Sequence, residues 1–538
     1  MKERFSILRQ LLSEAPSEDG WRDIWEWLQR WERVGEEAEL AREYANRHLE
    51  SWDDELRVIA TEEPWKFVKD QKNLAWLPLA RSLEFRGFPH SHLFESLTTD
   101  PQWRGIRRLT LAPSMAVEKK VSLLRGWDNL RLESLTLESN HWSIEMVEDI
   151  LSTESCRELK ELRCLFPLDS RIPFVRLLRS RAFEQKTPLE SLALTVEFSD
   201  EYTIQTILLA LNDNLLKKLS ISFSGDSSQG WRTFAESALA HNLQSLTLSR
   251  RFVPENSLEF PEDVSFAGFG KLRELRLDNM AGWFVLRVIQ TVLRESLESL
   301  HLLGWRHSNV VFAAFFEGAV FSRLQKLTLD GTASLAMLLR LLESDHFPVV
   351  EELTLHLHES QWVHLEKLVA SIRWPALKRL KVLGRGTWET SDEESQELLK
   401  HWNVAKTQER SHSSPTRLQR LDIELPMWIE HRLRKPPFAL KALLESGPCT
   451  SLSELVLRRV GLDLEALETL LSLEVCQHLT RLDVGHNRLQ DEGIAMLAEY
   501  SNFEELRSLT IVENGMTSVG EAALLESGLL RQLWFLRD

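Results

Sequence analysis

The chain has 538 residues, is 43% hydrophobic and 27% charged, and carries a formal net charge of −16. A balance that acidic argues against general nucleic-acid binding, which needs a dense cationic face. The first 20 residues hold no uninterrupted apolar stretch of the secretory kind, and no later run reaches membrane-spanning length, so a soluble cytoplasmic protein is expected.

Residues 1–78 hold seven of the nineteen tryptophans and no regular leucine pattern. Trp21, Ile24, Trp25, Leu28 and Trp31 recur at helical spacing, which predicts one apolar stripe on a helix that follows a turn at Asp19 and Gly20. Further helices are expected over 5–12 and 37–49. A small helical domain in this place would cover the open end of whatever follows it, or recruit a second protein, and the two roles are compatible.

From about residue 80 a pattern of leucine, two residues, leucine, one residue, leucine occurs seventeen times. Its central leucines are Leu83, Leu109, Leu135, Leu162, Leu192, Leu219, Leu246, Leu275, Leu300, Leu327, Leu353, Leu380, Leu421, Leu455, Leu482, Leu509 and Leu533. Around each, apolar and polar residues alternate, as in Leu132, Leu135 and Leu137, which is the period of a half-buried strand. Between strands the period becomes helical, for example over 203–211, 284–293, 333–342 and 464–471. Parallel strands joined by helical crossovers follow, and stacking the units buries the leucines in one continuous core. Strands stack more closely than helices, so a curved solenoid is expected, with the sheet on the concave side. Residues 79–538 form this second domain.

In the unit of Leu479, Leu482 and Val484, Asn487 stands five residues beyond the central leucine, where its amide can bond free backbone groups in the turn leaving the strand. The next unit repeats this with Leu506, Leu509, Ile511 and Asn514, and Asn140 holds the same place earlier, whereas Arg251, Met280 and Thr332 replace it. This pattern resembles the ribonuclease-inhibitor type of leucine-rich repeat over roughly residues 80–538. The resemblance implies an α/β solenoid that binds other proteins and carries no catalytic residue of its own. Relatives of this fold include GTPase-activating proteins and substrate adaptors of ubiquitin ligases. Bacterial effector ligases have shorter repeats with paired prolines, and this chain lacks that spacing. The order of parts, with Trp27, Leu28 and the stretch Tyr44, Ala45, Asn46, Arg47, His48 and Leu49 ahead of the repeats, is also similar to bacterial repeat families with an N-terminal helical repeat-companion domain.

Two gaps break the spacing: 41 residues from Leu380 to Leu421 and 34 from there to Leu455. The polar insertion near 384–417 reads as an exposed loop, either a tolerated insertion or a flap over a ligand. Gly384 and Gly386 form no phosphate cradle, because the remaining glycines and the lysine of such motifs are missing. Cys156, Cys449 and Cys476 each precede a first repeat leucine by three residues and Cys164 replaces a third leucine. All four are therefore expected as small buried apolar groups, with no nucleophile or disulfide framework. The basic groups Arg107 and Arg108, Lys119 and Lys120, Arg250 and Arg251, and 431–435 read as solvated.

Next to the central leucines stand residues expected to line the concave face, among them Thr110, Thr136, Arg163, Arg276, His301, Lys381, Asp422 and Trp534. Trp142, Trp283, Trp305, Trp362, Trp388 and Trp428 follow their central leucines by five to nine residues, which places them along one rim. There they either form exposed contact residues or pack between helix starts. The candidate partner-binding residues are Trp142, Arg276, Trp283, Trp305, Trp388, Trp428 and Trp534. His356, His358 and Asp330 share one side of two adjacent strands, a placement that a metal site would need. No cofactor motif is complete. The expected function is a non-catalytic scaffold that grips an unidentified protein by the concave face and rim. The alternatives are stimulation of a small GTPase, for which Arg163, Arg276 and Arg385 are the candidate arginines, and substrate adaptation through the N-terminal helices.

Overall fold

The computed structural model describes residues 2–13, 16–31, 35–61, 75–85, 101–112, 130–138, 142, 144–168, 189–196, 216–223, 233–250, 267–280, 285, 295–304, 320–330, 335–384, 416–426, 436, 438–500, 502–531, 533 and 535–537. They fall into two compact units, Met1–Lys271 and Leu272–Asp538.

The first unit opens with helices α1 (Lys2–Ser13), α2 (Glu18–Gln29) and α3 (Glu36–Leu49). Asp19 and Gly20 do not form the expected turn. They lie in the first turn of α2, where the Ser17 hydroxyl accepts a 3.0 Å bond from the Gly20 N–H and caps the helix. Trp21, Ile24, Leu28 and Trp31 are buried, and α3 meets the bundle along Ala38, Ala41, Ala45 and Leu49. Trp31 stacks edge-on with Phe5 at 5.0 Å and with Trp76 at 6.5 Å, a geometry favoured by the ring quadrupoles.

Eight parallel strands follow: β1 (Val58–Thr61), β2 (Ser82–Phe85), β3 (Arg108–Leu111), β4 (Ser134–Glu138), β5 (Glu161–Leu168), β6 (Ser191–Val196), β7 (Lys218–Phe223) and β8 (Ser245–Arg250). Strand β1 lies within the stretch that the sequence suggests is helical, and Ile59 pairs with Leu83 in the place of a central leucine. The segment between α3 and β1 is tied down by polar contacts. The Trp21 indole N–H donates to the Val58 carbonyl at 2.8 Å. The Arg57 guanidinium, only 1% exposed, donates to the Leu49 carbonyl at the end of α3 and, from Nε and Nη2, to the Leu79 carbonyl that precedes β2. The Ser82 hydroxyl donates to the Asp54 carbonyl at 2.8 Å, and Arg108 pairs with Glu55 at 3.0 Å. Each bond links the helical segment to the first repeats.

The second unit holds ten parallel strands: β9 (Glu274–Asp278), β10 (Ser299–Leu303), β11 (Lys326–Asp330), β12 (Glu352–Leu357), β13 (Arg379–Gly384), β14 (Arg420–Glu424), β15 (Glu454–Arg458), β16 (Arg481–Asp483), β17 (Ser508–Thr510) and β18 (Phe535–Arg537). Within each unit the expected central leucines pair with one another, Leu83 to Leu246 and Leu275 to Leu509. All are at most 2% exposed, and burying each leucine contributes about 1.5–3 kcal/mol. The last strand departs from expectation. Leu536, not Leu533, pairs with Leu509, so the residue beside the central leucine is Arg537 and not Trp534, which itself lies outside the described residues.

The helices over 335–342 and 464–471 form as expected, and 490–499 and 518–526 follow the last two full repeats. The helices expected over 203–211 and 284–293, and the insertion beyond Gly384, lie almost wholly outside the described residues. All four cysteines are buried and free. Burial pushes the thiols of Cys164 and Cys476 up to about 12 and that of Cys449 to about 11, which disfavours the thiolate form. No helix of the described residues is long and apolar enough to cross a membrane.

Candidate protein-binding face

Alternation along each strand sends the leucines inward and the residues between them outward. In β9, Leu275 and Leu277 are buried while Glu274 and Arg276 are exposed, and β12 and β14 alternate likewise. The strand exits are held at a constant height by the repeat turn. Asn279, Gly304, Arg459, His486 and Glu513, each four residues past a central leucine, adopt φ between 55° and 67°. Next to this left-handed residue, Asn487 accepts from the Leu462 N–H at 3.1 Å and donates to the Leu457 and Val484 carbonyls at 2.8 Å. Asn514 repeats the scheme onto Val484 and Ile511. The role read from sequence for these asparagines is therefore observed, and it joins consecutive repeats. The helix starts are joined too. The Asp491 carboxylate accepts from the N–H groups of Thr517 and Gly520 and from the Thr517 hydroxyl at 2.6 Å. A Cβ at Gly520 would stand 2.7 Å from that carboxylate, so only glycine permits the approach.

Charges on the outward face compensate one another laterally. Two positions before the central leucine, Arg107, Glu133, Lys160, Glu190 and Lys217 alternate in sign from strand to strand. Arg107 reaches Glu133 at 3.3 Å, Lys160 reaches Glu133 at 2.7 Å and Lys217 reaches Glu190 at 2.9 Å. Arg108 of β3 and Glu161 of β5 pair at 2.5 Å across the intervening strand, directly over Ser134, which is 3% exposed. In the second unit Arg420 binds both Asp422 and Glu454, Arg458 binds Asp483, and Arg459 binds Glu424. The outward face of β14–β16 is consequently closed by its own ion pairs. Aligning the repeats reveals this ladder, whose signal in the sequence is the alternating charge two places before each central leucine.

The candidate residues divide clearly. Arg276 is on the outward face, beside Asp278 at 3.0 Å. Its neighbour His301 bonds Thr328 Oγ1 and Ser299 Oγ, each at 2.8 Å. Burial first, then the charge of Arg276, lowers the His301 pKa below its usual value. Trp142 is 6% exposed and its indole N–H points to the Glu138 carbonyl at 3.3 Å; Trp362 is 1% exposed and meets Phe438 at 6.2 Å. Both take the packing role and neither is an exposed contact residue, because their rings fill space beneath the strand exits. Trp283, Trp305, Trp388, Trp428 and Trp534 lie outside the described residues. Arg250, expected in solvent, is 3% exposed.

Asp330 and His356 do pair across β11 and β12. Yet Asp330 accepts the Gly304 N–H at 2.7 Å, and His358 sits at a helix start where its N–H donates to Gln361 Oε1 at 2.9 Å. Among the described residues no three His, Cys, Asp or Glu side chains are grouped to hold a metal ion.

Comparison with known proteins gives one family match: the leucine-rich repeat pattern over residues 475–498, which spans β16, the Asn487 turn and nearly all of the helix after it. No curated protein matches the chain. Similar solved structures include an internalin from Listeria monocytogenes, 14% identical, covering 84% of this chain and 95% of that one with a TM-score of 0.30. Another is a protein from Bacteroides fragilis, also 14% identical, covering 70% of this chain and 86% of that one with a TM-score of 0.21. The matched unit, and the strand pairing that repeats its leucine pattern throughout both described units, make this chain a leucine-rich repeat protein.

Proposed function

We propose that the protein is a non-catalytic scaffold that binds a partner protein on the outward face of its strands. The observation that carries this reading is the face itself: polar side chains at fixed intervals, held by buried leucines below and asparagine turns at their ends. Such a surface is preorganised, so little ordering entropy is lost on binding. The rim residues Trp283, Trp305, Trp388 and Trp428 belong to the same proposal, together with Arg276. Residues 1–78 serve as a cap on the array of 79–538, supported by the bonds of Trp21 and Arg57 to the chain around β1 and β2. No comparable observation singles out an arginine for action on a small GTPase.

The test is affinity capture from host lysate with a photo-crosslinking residue at Thr354, on the outward face, or at Glu468, on the helix 464–471. Crosslinks from Thr354 and none from Glu468 are expected. Replacing Arg276, Trp305 and Trp388 by alanine should abolish capture with the thermal transition unchanged. A partner crosslinked from Glu468 alone would overturn the reading.

A further inference from the structure

Exposure on the outward face of the second unit is uneven. At the residues one before, one after and three after the central leucine, β14–β17 present no exposed side chain, whereas β9–β13 present five: Glu274, Arg276, Lys326, Arg379 and Lys381. Four of the five are cationic, on a chain whose net charge is −16. Apart from the exposed Glu274, the nearby carboxylates are less accessible. Asp278 is bonded by Arg276, and Glu352 lies between Lys326 at 3.1 Å and Arg379 at 3.8 Å. Lys381 is flanked by Thr354 and Asp422 in the strand register, and Asp422 is engaged by Arg420 at 2.8 Å. Lys381 therefore has no ion-pair partner among the described residues. With Arg276, Lys326 and Arg379 it gives β9–β13 a local positive field, Lys381 itself standing on the last of these strands.

Resting on the scaffold reading above, we infer that the face of β9–β13 receives an acidic helical segment of a partner protein, laid across the strands. The spacing of the cations selects this occupant. Arg276 is two strands from Lys326, and Lys326 is two strands from Arg379 and Lys381, so each step is about 10 Å. A helix advances about 10 Å in seven residues, which returns to the same face. Carboxylates at every seventh position of the segment thus meet the three cationic strands in turn. The strands' backbone groups are already paired to one another, which excludes recognition by strand addition in the middle of the sheet. Half-exposed Leu303 and Leu383 stand among the cations, as do the carboxylates Asp278 and Glu352. Apolar and acidic neighbours suit a peptide with interspersed carboxylates and repel a uniformly charged phosphodiester chain.

The experiment uses the full-length protein and a fluorescent helical peptide of about 20 residues with glutamate at every seventh position, read by anisotropy. Control peptides carry glutamine or lysine at those positions, and a single-stranded DNA oligonucleotide is the third probe. The glutamate peptide should bind at least about tenfold more tightly than the glutamine peptide, a difference of about 1.4 kcal/mol. The preference should vanish at high salt and in Arg379→Glu with Lys381→Glu, and fall in the milder Lys381→Gln, which circular dichroism should show to be folded. Equal binding of the peptides, no binding, unchanged preference in the variants, or tighter binding of the oligonucleotide would each overturn the inference. If the lysate partner crosslinks to Thr354 while the glutamate peptide shows no preference, the inference fails and the scaffold reading stands. A partner crosslinked only to Glu468 defeats the scaffold reading itself.

Discussion

Replacing Asn487 by alanine removes four buried bonds at once. The Leu462 N–H loses its acceptor at 3.1 Å, and the Leu457, Val484 and Gly485 carbonyls lose a donor at 2.8, 2.8 and 3.2 Å; Val484 keeps the Asn514 amide, so three groups are left without their partner. Asn487 is 3% exposed, so water reaches none of these groups without local opening. At about 1 kcal/mol for each buried group left unsatisfied, the cost is about 3 kcal/mol. In a repeat array this loss is felt first by the adjoining units. Amide hydrogen exchange is the direct assay, because the Leu462 amide is itself a donor to Asn487. Its exchange should accelerate by about two decades, at 1.4 kcal/mol per decade. Asn487→Asp should cost more than alanine, since a carboxylate would face the Leu457, Val484 and Gly485 carbonyls without a hydrogen to donate. In Asn514→Ala the loss should be smaller, because the equivalent acceptor contact, from the Leu489 N–H, is 3.5 Å long. Unchanged exchange at Leu462 in Asn487→Ala, or an aspartate variant more stable than the alanine one, would refute the idea that this side chain couples the repeats.

Two further outcomes follow from particular side chains. Arg57→Met should free the Leu79 carbonyl and leave Leu49 only the Trp52 N–H, destabilise α1–α3 by about 2 kcal/mol and leave exchange in 272–538 unaltered; protection of α3 equal to wild type would refute the clamp. The Asp491 carboxyl is held below its ordinary range by the Thr517 hydroxyl and amide and the Gly520 amide. Because its folded pKa is the lower, its contribution is complete above the unfolded value and disappears as pH falls through the folded one. The difference in melting temperature between wild type and Asp491→Ala should therefore be full near neutrality and shrink in acid; a difference that grows on acidification would show that the carboxylate form is not the one being stabilised.

Most of the strand order was legible because the repeat encodes it locally. A leucine every second residue marks a strand with one buried face, and a spacing of 25–30 residues leaves room for one return crossover in most units. The two failures are instructive. Strand β1 carries Ile59 in a stretch without further leucines, and only its pairing with Leu83 reveals it. At the C-terminal end, Leu533 and Leu536 are three apart, which is also the spacing of the first and central leucines of a unit. Either could be central, and hydrogen bonding of Phe535 beside Ser508 decides for Leu536.

The candidate site was less legible. Tryptophan suits both an exposed rim and a buried staple, so composition alone does not separate them, and Trp142 and Trp362 are buried. The same holds for charge. Lys326 and Arg420 look alike in sequence, but Arg420 is held between Asp422 and Glu454 while Lys326 remains exposed.

The repeating unit, the parallel strands and the asparagine turns are encoded locally, because each arises from residues within about one repeat of one another. Which outward residues reach solvent is settled by packing between repeats. Ser134 is covered because Arg108 and Glu161 meet above it from two different repeats, and Lys381 stays exposed because its neighbour Asp422 is already taken by Arg420. Exposure on a packed sheet depends on long side chains arriving from neighbouring strands, and those arrangements exist only once the strands are stacked.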